Sequence, residues 1–254
     1  IKYKISRYLW YSFLRMQRKV APKISNIITP SQSSKKGIMD EFNCKGSSIT
    51  VINNGLDAQE FCPIPNSTRN KNRLITTASA DVPLKGLDYS LKALKLLKKD
   101  NPKMHLVVIG NYKKNGHTER LIKKLGIEQD VIFKKNISKD EIKKLYSSSS
   151  IAIVSSLYEG FGYPVIEAMS CEVPIIATNV SSIPELVSDF GTLIEPKNEN
   201  QLKRSIIKVM QNYDHFKDIA IKGRQHVIET FNWSKITSEY EKIIYETVDR
   251  FKKC

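Results

Sequence analysis

The chain has 254 residues, 41% of them hydrophobic, and a formal net charge of +15. That length allows one large domain and a piece of a second, and no run of about 18 apolar residues occurs, which excludes a membrane-spanning helix. A charge of this size attracts anions rather than specifying a fold, so nucleic acid, anionic lipid and phosphorylated substrates are the partner classes to weigh.

The opening Ile1-Lys2-Tyr3-Lys4 lacks the hydrophobic stretch and small-residue cleavage site of a secretory signal, and the sequence is expected to begin inside a longer protein. Lys2, Lys4, Arg7, Arg15, Arg18, Lys19 and Lys23 are interleaved with Tyr8, Leu9, Trp10, Tyr11, Phe13 and Leu14. This reads as a basic helix with an aromatic face. Two explanations stand: a helix of an incomplete domain whose apolar face has lost its cover, or peripheral contact with an anionic membrane surface. A short strand over Ile24 to Thr29 follows, then a Pro30-Ser31 break and a helix from Ser33 to Phe42. The β-branched run Ile49 to Ile52 reads as a strand that ends in Asn53-Asn54-Gly55, residues that tolerate positive φ. Between Cys62 and Arg73 the composition turns to Pro, Asn, Ser and Thr, and residues 63–73 read as a linker.

Short β-branched runs then alternate with helical stretches. The expected strands are Leu74 to Thr77, Leu106 to Ile109, Val131 to Phe133, Ile151 to Val154 and Ile175 to Thr178. The expected helices between and after them are Gly86 to Lys99, Thr118 to Leu125, Ser138 to Tyr146, Val165 to Ser170 and Ile183 to Val187. Such alternation implies right-handed βαβ units, hence an α/β fold with a Rossmann-like parallel sheet and helices on both faces over residues 74–232. Helices over 200–211, 214–229 and 234–251 complete the chain. Ile236, Tyr240, Ile243, Ile244 and Val248 follow helical spacing in the last of these, and core packing suffices to explain them.

Cys44, Cys62, Cys171 and Cys254 show no C-x-x-C spacing, and His105, His117, His215 and His226 form no H-x-x-x-H pair. Reduced thiols in a cytoplasmic protein are expected, and no metal held by the protein. Nucleic-acid binding lacks a stacking platform or recognition motif and is set aside.

In a parallel sheet of this kind a ligand sits at the carboxyl ends of the strands, where helix N-termini present unpaired amides. Two loops fall there: Ser79 to Gly86, and Ser155 to Pro164. In the second, Glu159 and Glu167 lie eight positions apart across Gly160-Phe161-Gly162-Tyr163-Pro164, and Pro164 suits the first turn of a helix. The spacing alone fits a solvated helix face. The loop from Gly110 to Gly116 lacks both common phosphate-loop patterns.

The full string Glu-Gly-Phe-Gly-x-Pro-x-x-Glu-Ala-Met resembles the Glu-x7-Glu signature of the retaining family 4 glycosyltransferases, which are group 1 glycosyl transferases with the GT-B fold. Ile52 to Asp57 is similar to that family's interdomain segment, Pro174 to Thr178 to the strand after its motif helix, and Phe190 to Ile194 to its C-terminal end. The likeness spans roughly residues 20 to 250. It implies that residues 1–62 are a remnant of an N-terminal acceptor domain with the interdomain segment, that 74–232 bind the donor, and that 233–254 form a helix crossing back to the N-terminal domain. The implied reaction moves a sugar from a nucleoside diphosphate to a glycan, lipid-linked or small-molecule acceptor, with retention and without a cofactor. Donor binding without transfer, by an interaction module, is the alternative.

By that resemblance, Glu159 and Lys85 are the catalytic candidates: Glu159 for hydroxyls near the reacting carbon, Lys85 for the charge developing on the leaving diphosphate. Glu167 would accept the ribose hydroxyls, with the amides around Phe161, Gly162 and Tyr163 against sugar and diphosphate. Lys135 and Ile137 would contact the base through their backbone, and Gly110 would lie beside the pocket. Two departures from the family pattern stand out. Ala80 replaces an arginine that accompanies the lysine, leaving the charge to Lys134 or Lys135, to a variant loop, or to weakened transfer. Glu172 replaces a glycine, where backbone strain is expected. Cytoplasmic location follows, with peripheral contact at the inner membrane face as the second expectation.

Overall fold

A computed structural model describes residues 13–252. Residues 1–12, which hold most of the expected basic aromatic helix, lie outside the described residues. The chain divides into two compact units, one of residues 1–54 with 234–254 and one of residues 55–233.

In the smaller unit a helix runs through residues 13–20 (α1). Strand β1 (Ile27–Thr29) pairs in parallel with β2 (Ile49–Val51), Ile27 opposite Ile49. The strand expected from Ile24 is shorter because Ala21–Lys23 form a 3-10 turn closed by a bond from the Ile24 amide to the Ala21 carbonyl. Helix α2 (Gln32–Phe42) starts on Ser31, whose hydroxyl accepts from the Ser34 amide, and stops at Asn43 in the left-handed region.

The larger unit carries a six-stranded sheet, all parallel, in the order β5-β4-β3-β6-β7-β8. Its strands are β3 (Asn70–Thr77), β4 (His105–Ile109), β5 (Val131–Lys134), β6 (Ser149–Val154), β7 (Ile175–Thr178) and β8 (Thr192–Ile194). Between them run α3 (Leu87–Leu97), α4 (His117–Leu125), α5 (Lys139–Ser147), α6 (Tyr163–Ser170) and α7 (Ile183–Val187), followed by α8 (Glu199–Gln211), α9 (Tyr213–Thr230) and α10 (Trp233–Lys252). From Ser234 onward α10 groups with residues 1–54.

Successive strand residues point to opposite faces, and here both faces are covered. Leu74, Leu106, Val108, Ile151, Ile153 and Ile176 pack with apolar residues of α3, α4 and α8. Their neighbours Ile75, Val107, Ile109, Ala152, Val154 and Ile175 pack with α6, α7 and α9. Double burial explains why these strands read as unbroken apolar runs. The short edge strand β8 carries no such run and is an addition to the sequence reading.

The segment 63–73 read as a linker supplies the first half of β3. The Arg69 guanidinium explains why: it donates to the carbonyls of Tyr146 at 3.1 Å, Ser149 at 3.0 Å, Cys171 at 2.9 Å and Glu172 at 2.8 Å. A polar stretch is thereby stitched to α5, β6 and the end of α6, and Asn70 joins the sheet through its amide to Ser148. At the family's glycine position Glu172 takes φ +56°, the left-handed strain expected of a residue with a side chain.

Candidate functional site

The strand order turns at β3 and β6, which are adjacent in the sheet although β4, β5 and helices α3, α4 and α5 separate them in sequence. Loops leaving neighbouring strands in opposite directions open a crevice at their carboxyl ends. Both loops singled out in the sequence start there, one after β3 and one after β6.

They approach through backbone. The Leu157 amide donates to the Leu84 carbonyl at 2.7 Å, and the Ser155 hydroxyl to the Gly86 carbonyl at 2.9 Å. Gly86 sits at φ +62°, and a Cβ there would stand 1.9 Å from the Ser155 carbonyl oxygen. Only glycine lets the strands of this crossing come so close. Lys85, one residue earlier, is thereby delivered to Glu159: its Nζ lies 2.7 Å from Oε1. The Ser156 hydroxyl donates to the same oxygen at 2.7 Å, and the Ser182 hydroxyl donates to the Glu159 carbonyl at 2.9 Å. The carboxylate is buried while a third of the Lys85 side chain is exposed, so the cation is the partner that an incoming anion can reach.

Gly162, at φ +118°, turns the loop into α6, with Pro164 in its first turn. Phe161 is buried against Phe231 and Tyr163, ring centroids 5.9 Å and 5.4 Å away. Its side chain anchors the loop, so only its backbone can serve a ligand. One helical turn on, Glu167 accepts from the Tyr146 hydroxyl at 3.3 Å, and that hydroxyl lies 3.0 Å from the Thr77 hydroxyl. Burial raises the Glu167 carboxyl above the ordinary glutamate value, and the Tyr146 bond opposes this in part.

Glu167 and Tyr163 form walls of a cavity of about 340 Å³. Lys139 and Ile142 of α5 also line it, as do Gly55, Asp57, Phe61 and Trp233. The Trp233 indole covers Gly55, where a Cβ would meet the ring at 2.5 Å. Lys139 is held by Glu60 at 2.7 Å at the rim.

The structure thus brings Lys85 and Glu159 into contact and puts Glu167 and Tyr163 on one cavity. Lys135 is exposed on the loop after β5 and Ile137 packs on the core; neither is among the cavity walls. The Gly110 amide is committed to the Lys134 carbonyl at 2.9 Å, and a Cβ there would meet the Ala78 carbonyl at 2.4 Å. Gly110 therefore joins strand ends, and its N–H is taken up within the sheet. Ala80 is buried, with its amide on the Asn111 carbonyl at 2.8 Å. Asp81 beside it accepts from the Thr118 amide at 2.7 Å, so this loop is clipped to the start of α4. Among the described residues no three His, Cys, Asp or Glu side chains are grouped to hold a metal ion, and no helix is long and apolar enough to cross a membrane.

Because the raised value belongs to an acid, the folded state holds this proton more tightly than the unfolded chain. Its favourable contribution is complete below the unfolded value and is withdrawn as pH rises through the folded one. Glu167→Gln is accordingly expected to be more stable than the wild type at pH 7 and to lose that advantage near pH 4. Urea midpoints at the two pH values check this, and an advantage equal at both would contradict it.

Sequence and fold comparisons bear on the site as a whole. The family described as glycosyl transferases group 1 matches residues 60–226. An MMP alpha-(1->4)-mannosyltransferase of Mycolicibacterium hassiacum is 31% identical over 248 residues, 96% of this chain and 60% of that protein. An N-acetyl-alpha-D-glucosaminyl L-malate synthase of Bacillus anthracis is 32% identical over 131 residues, 51% of this chain and 34% of that protein. Anabaena HepE, solved with UDP and glucose, superposes with a TM-score of 0.81 at 20% identity, covering 91% of this chain and 66% of its own. The chain spans about 60% of the length of the mannosyltransferase it matches.

Proposed function

Since the chain belongs to the group 1 glycosyl transferases, we propose that residues 55–233 bind a nucleoside diphosphate sugar and form the donor half of a retaining glycosyl transfer. The observation that carries this reading is the Lys85–Glu159 ion pair at the sheet's turning point, one loop away from the Glu167-lined cavity. The UDP in the HepE structure supports the choice of ligand class.

In this reading the diphosphate draws Lys85 away from Glu159, because a dianion competes well for a cation that solvent already reaches. Positive charge is then in place where negative charge develops as the glycosidic bond breaks. Glu159, released, accepts hydroxyls of the sugar, while its loop is kept in place by Ser156 and Ser182. Glu167 accepts the ribose hydroxyls. The positive end of α6 faces the diphosphate. The acceptor, a glycan, a lipid-linked sugar or a small molecule, is taken up outside this unit.

Ala80 favours a second reading, donor binding without transfer, since no cation stands at that position. Titration calorimetry with UDP-, GDP- and ADP-sugars tests the proposal: one of them is expected to bind, and Glu167→Gln to weaken it about tenfold. Binding by none would overturn both readings. Binding without sugar transfer by the full-length protein would favour the second.

A further inference from the structure

Among the described residues, Glu167 accepts a side-chain hydrogen bond at one oxygen, Oε2, and the donor is Tyr146. Tyr146 itself is 1% exposed and is not among the cavity walls, whereas Glu167 is. Among the described residues no buried side-chain oxygen or nitrogen lacks a partner. Oε1 of Glu167, which accepts no bond from the described residues, is therefore the oxygen left on the accessible side. The Tyr146 hydroxyl has a second neighbour in Thr77, at the last position of β3. Burial holds the phenol well above its ordinary range, so it keeps its proton and remains a donor.

A buried phenol is satisfied by one partner, and Thr77 alone would suffice for a packing role. The chain Thr77–Tyr146–Glu167 instead links three elements: the strand end at the turning point, α5, and the helix that follows the motif loop. A glutamate carboxylate turns about three side-chain bonds, and fixing one oxygen from behind sets the direction of the other.

We infer that Tyr146 is a positioning residue for ligand recognition: it grips the rear oxygen of Glu167 so that the front oxygen meets the ribose hydroxyls of a nucleoside diphosphate. This rests on the reading of Glu167 as the ribose ligand. Tyr146 does not touch the ligand. Its contribution is to discrimination between ribose and deoxyribose, not to grip on base or phosphate.

The test is titration of the protein with UDP, GDP and ADP and with their 2′-deoxy and 3′-deoxy forms, in the wild type and in Tyr146→Phe. The wild type is expected to prefer the ribose form of the nucleotide it binds by about tenfold. In Tyr146→Phe that preference should fall below about threefold, with affinity for the deoxy forms unchanged, since one hydrogen bond to a charged group is lost. A purely structural tyrosine would lower the melting temperature and leave the ratio intact, and an intact ratio overturns the inference. Should Tyr146→Phe fail to fold, Thr77→Val carries the test: it frees the far end of the phenol, and the ratio must drop in the same direction. Failure of the underlying reading looks different. The wild type would then bind none of the three nucleotides, or would bind ribose and deoxyribose forms equally.

Discussion

Arg69→Met is expected to destabilise the 55–233 unit by about 3–5 kcal/mol, because four backbone carbonyls lose charge-assisted bonds at once. Those carbonyls belong to Tyr146, Ser149, Cys171 and Glu172, at the ends of α5 and α6 and the start of β6. Methionine keeps much of the aliphatic length, so the loss reports hydrogen bonding more than packing. Arg224 holds a neighbouring set, donating to Phe61 at 3.1 Å and Ala58 at 3.2 Å and to Ser170, but it does not reach the Arg69 carbonyls. Urea unfolding with unchanged m-value measures the effect. A loss under about 1 kcal/mol would mean that water replaces the guanidinium at little cost.

The other large effect is on chemistry. Lys85→Met in the full-length protein is expected to lower the rate of sugar transfer by about a hundred- to a thousandfold, the usual range for removing one donor aimed at developing negative charge. The substitution also strands Glu159, whose carboxylate then keeps only Ser156. That cost is to stability, and the pair Lys85→Met with Glu159→Gln separates it: folding should recover while transfer does not. Lys85→Arg keeps the charge and should keep much of the transfer, though a planar fork is not a point charge. Unaltered transfer by Lys85→Met would remove the central element of the proposed mechanism.

The sheet was legible because burial on both faces leaves an unmistakable pattern, from Leu74-Ile75 through Ile151 to Val154. The motif loop was legible because glycine, proline and glutamate each mark a local requirement: Gly162 its left-handed turn, Pro164 the first turn of α6. Arg69 was not. Its partners lie 77 to 103 positions away and are all backbone, so no residue type advertises them. Tyr146 was hidden for a related reason: in a helix an apolar ring at a core position looks alike whether its hydroxyl is idle or linked to Glu167, 21 positions on. Gly110 is ambiguous in sequence because a glycine after a strand serves equally well to admit a ligand or to let two strand ends pass; here it lets the ends of β3 and β4 approach. For Ala80 the sequence left three alternatives, another cation, a variant loop or weakened transfer; the structure shows its neighbour Asp81 fastening the loop to α4 by accepting from the Thr118 amide.

The meeting of β3 and β6 joins the two halves of the sheet through side chains: Lys85 of the first half pairs with Glu159 of the second, and Thr77 of the first reaches Glu167 of the second through Tyr146. In the proposed reading, a chain with only one half assembled lacks part of the donor site. Ligand concentration thus enters the folding equilibrium as a mass-action term that acts on the complete unit alone, adding about 2.7 kcal/mol at a hundred times the dissociation constant. A cell rich in the ligand would hold the finished protein and leave its half-built precursors to the proteases.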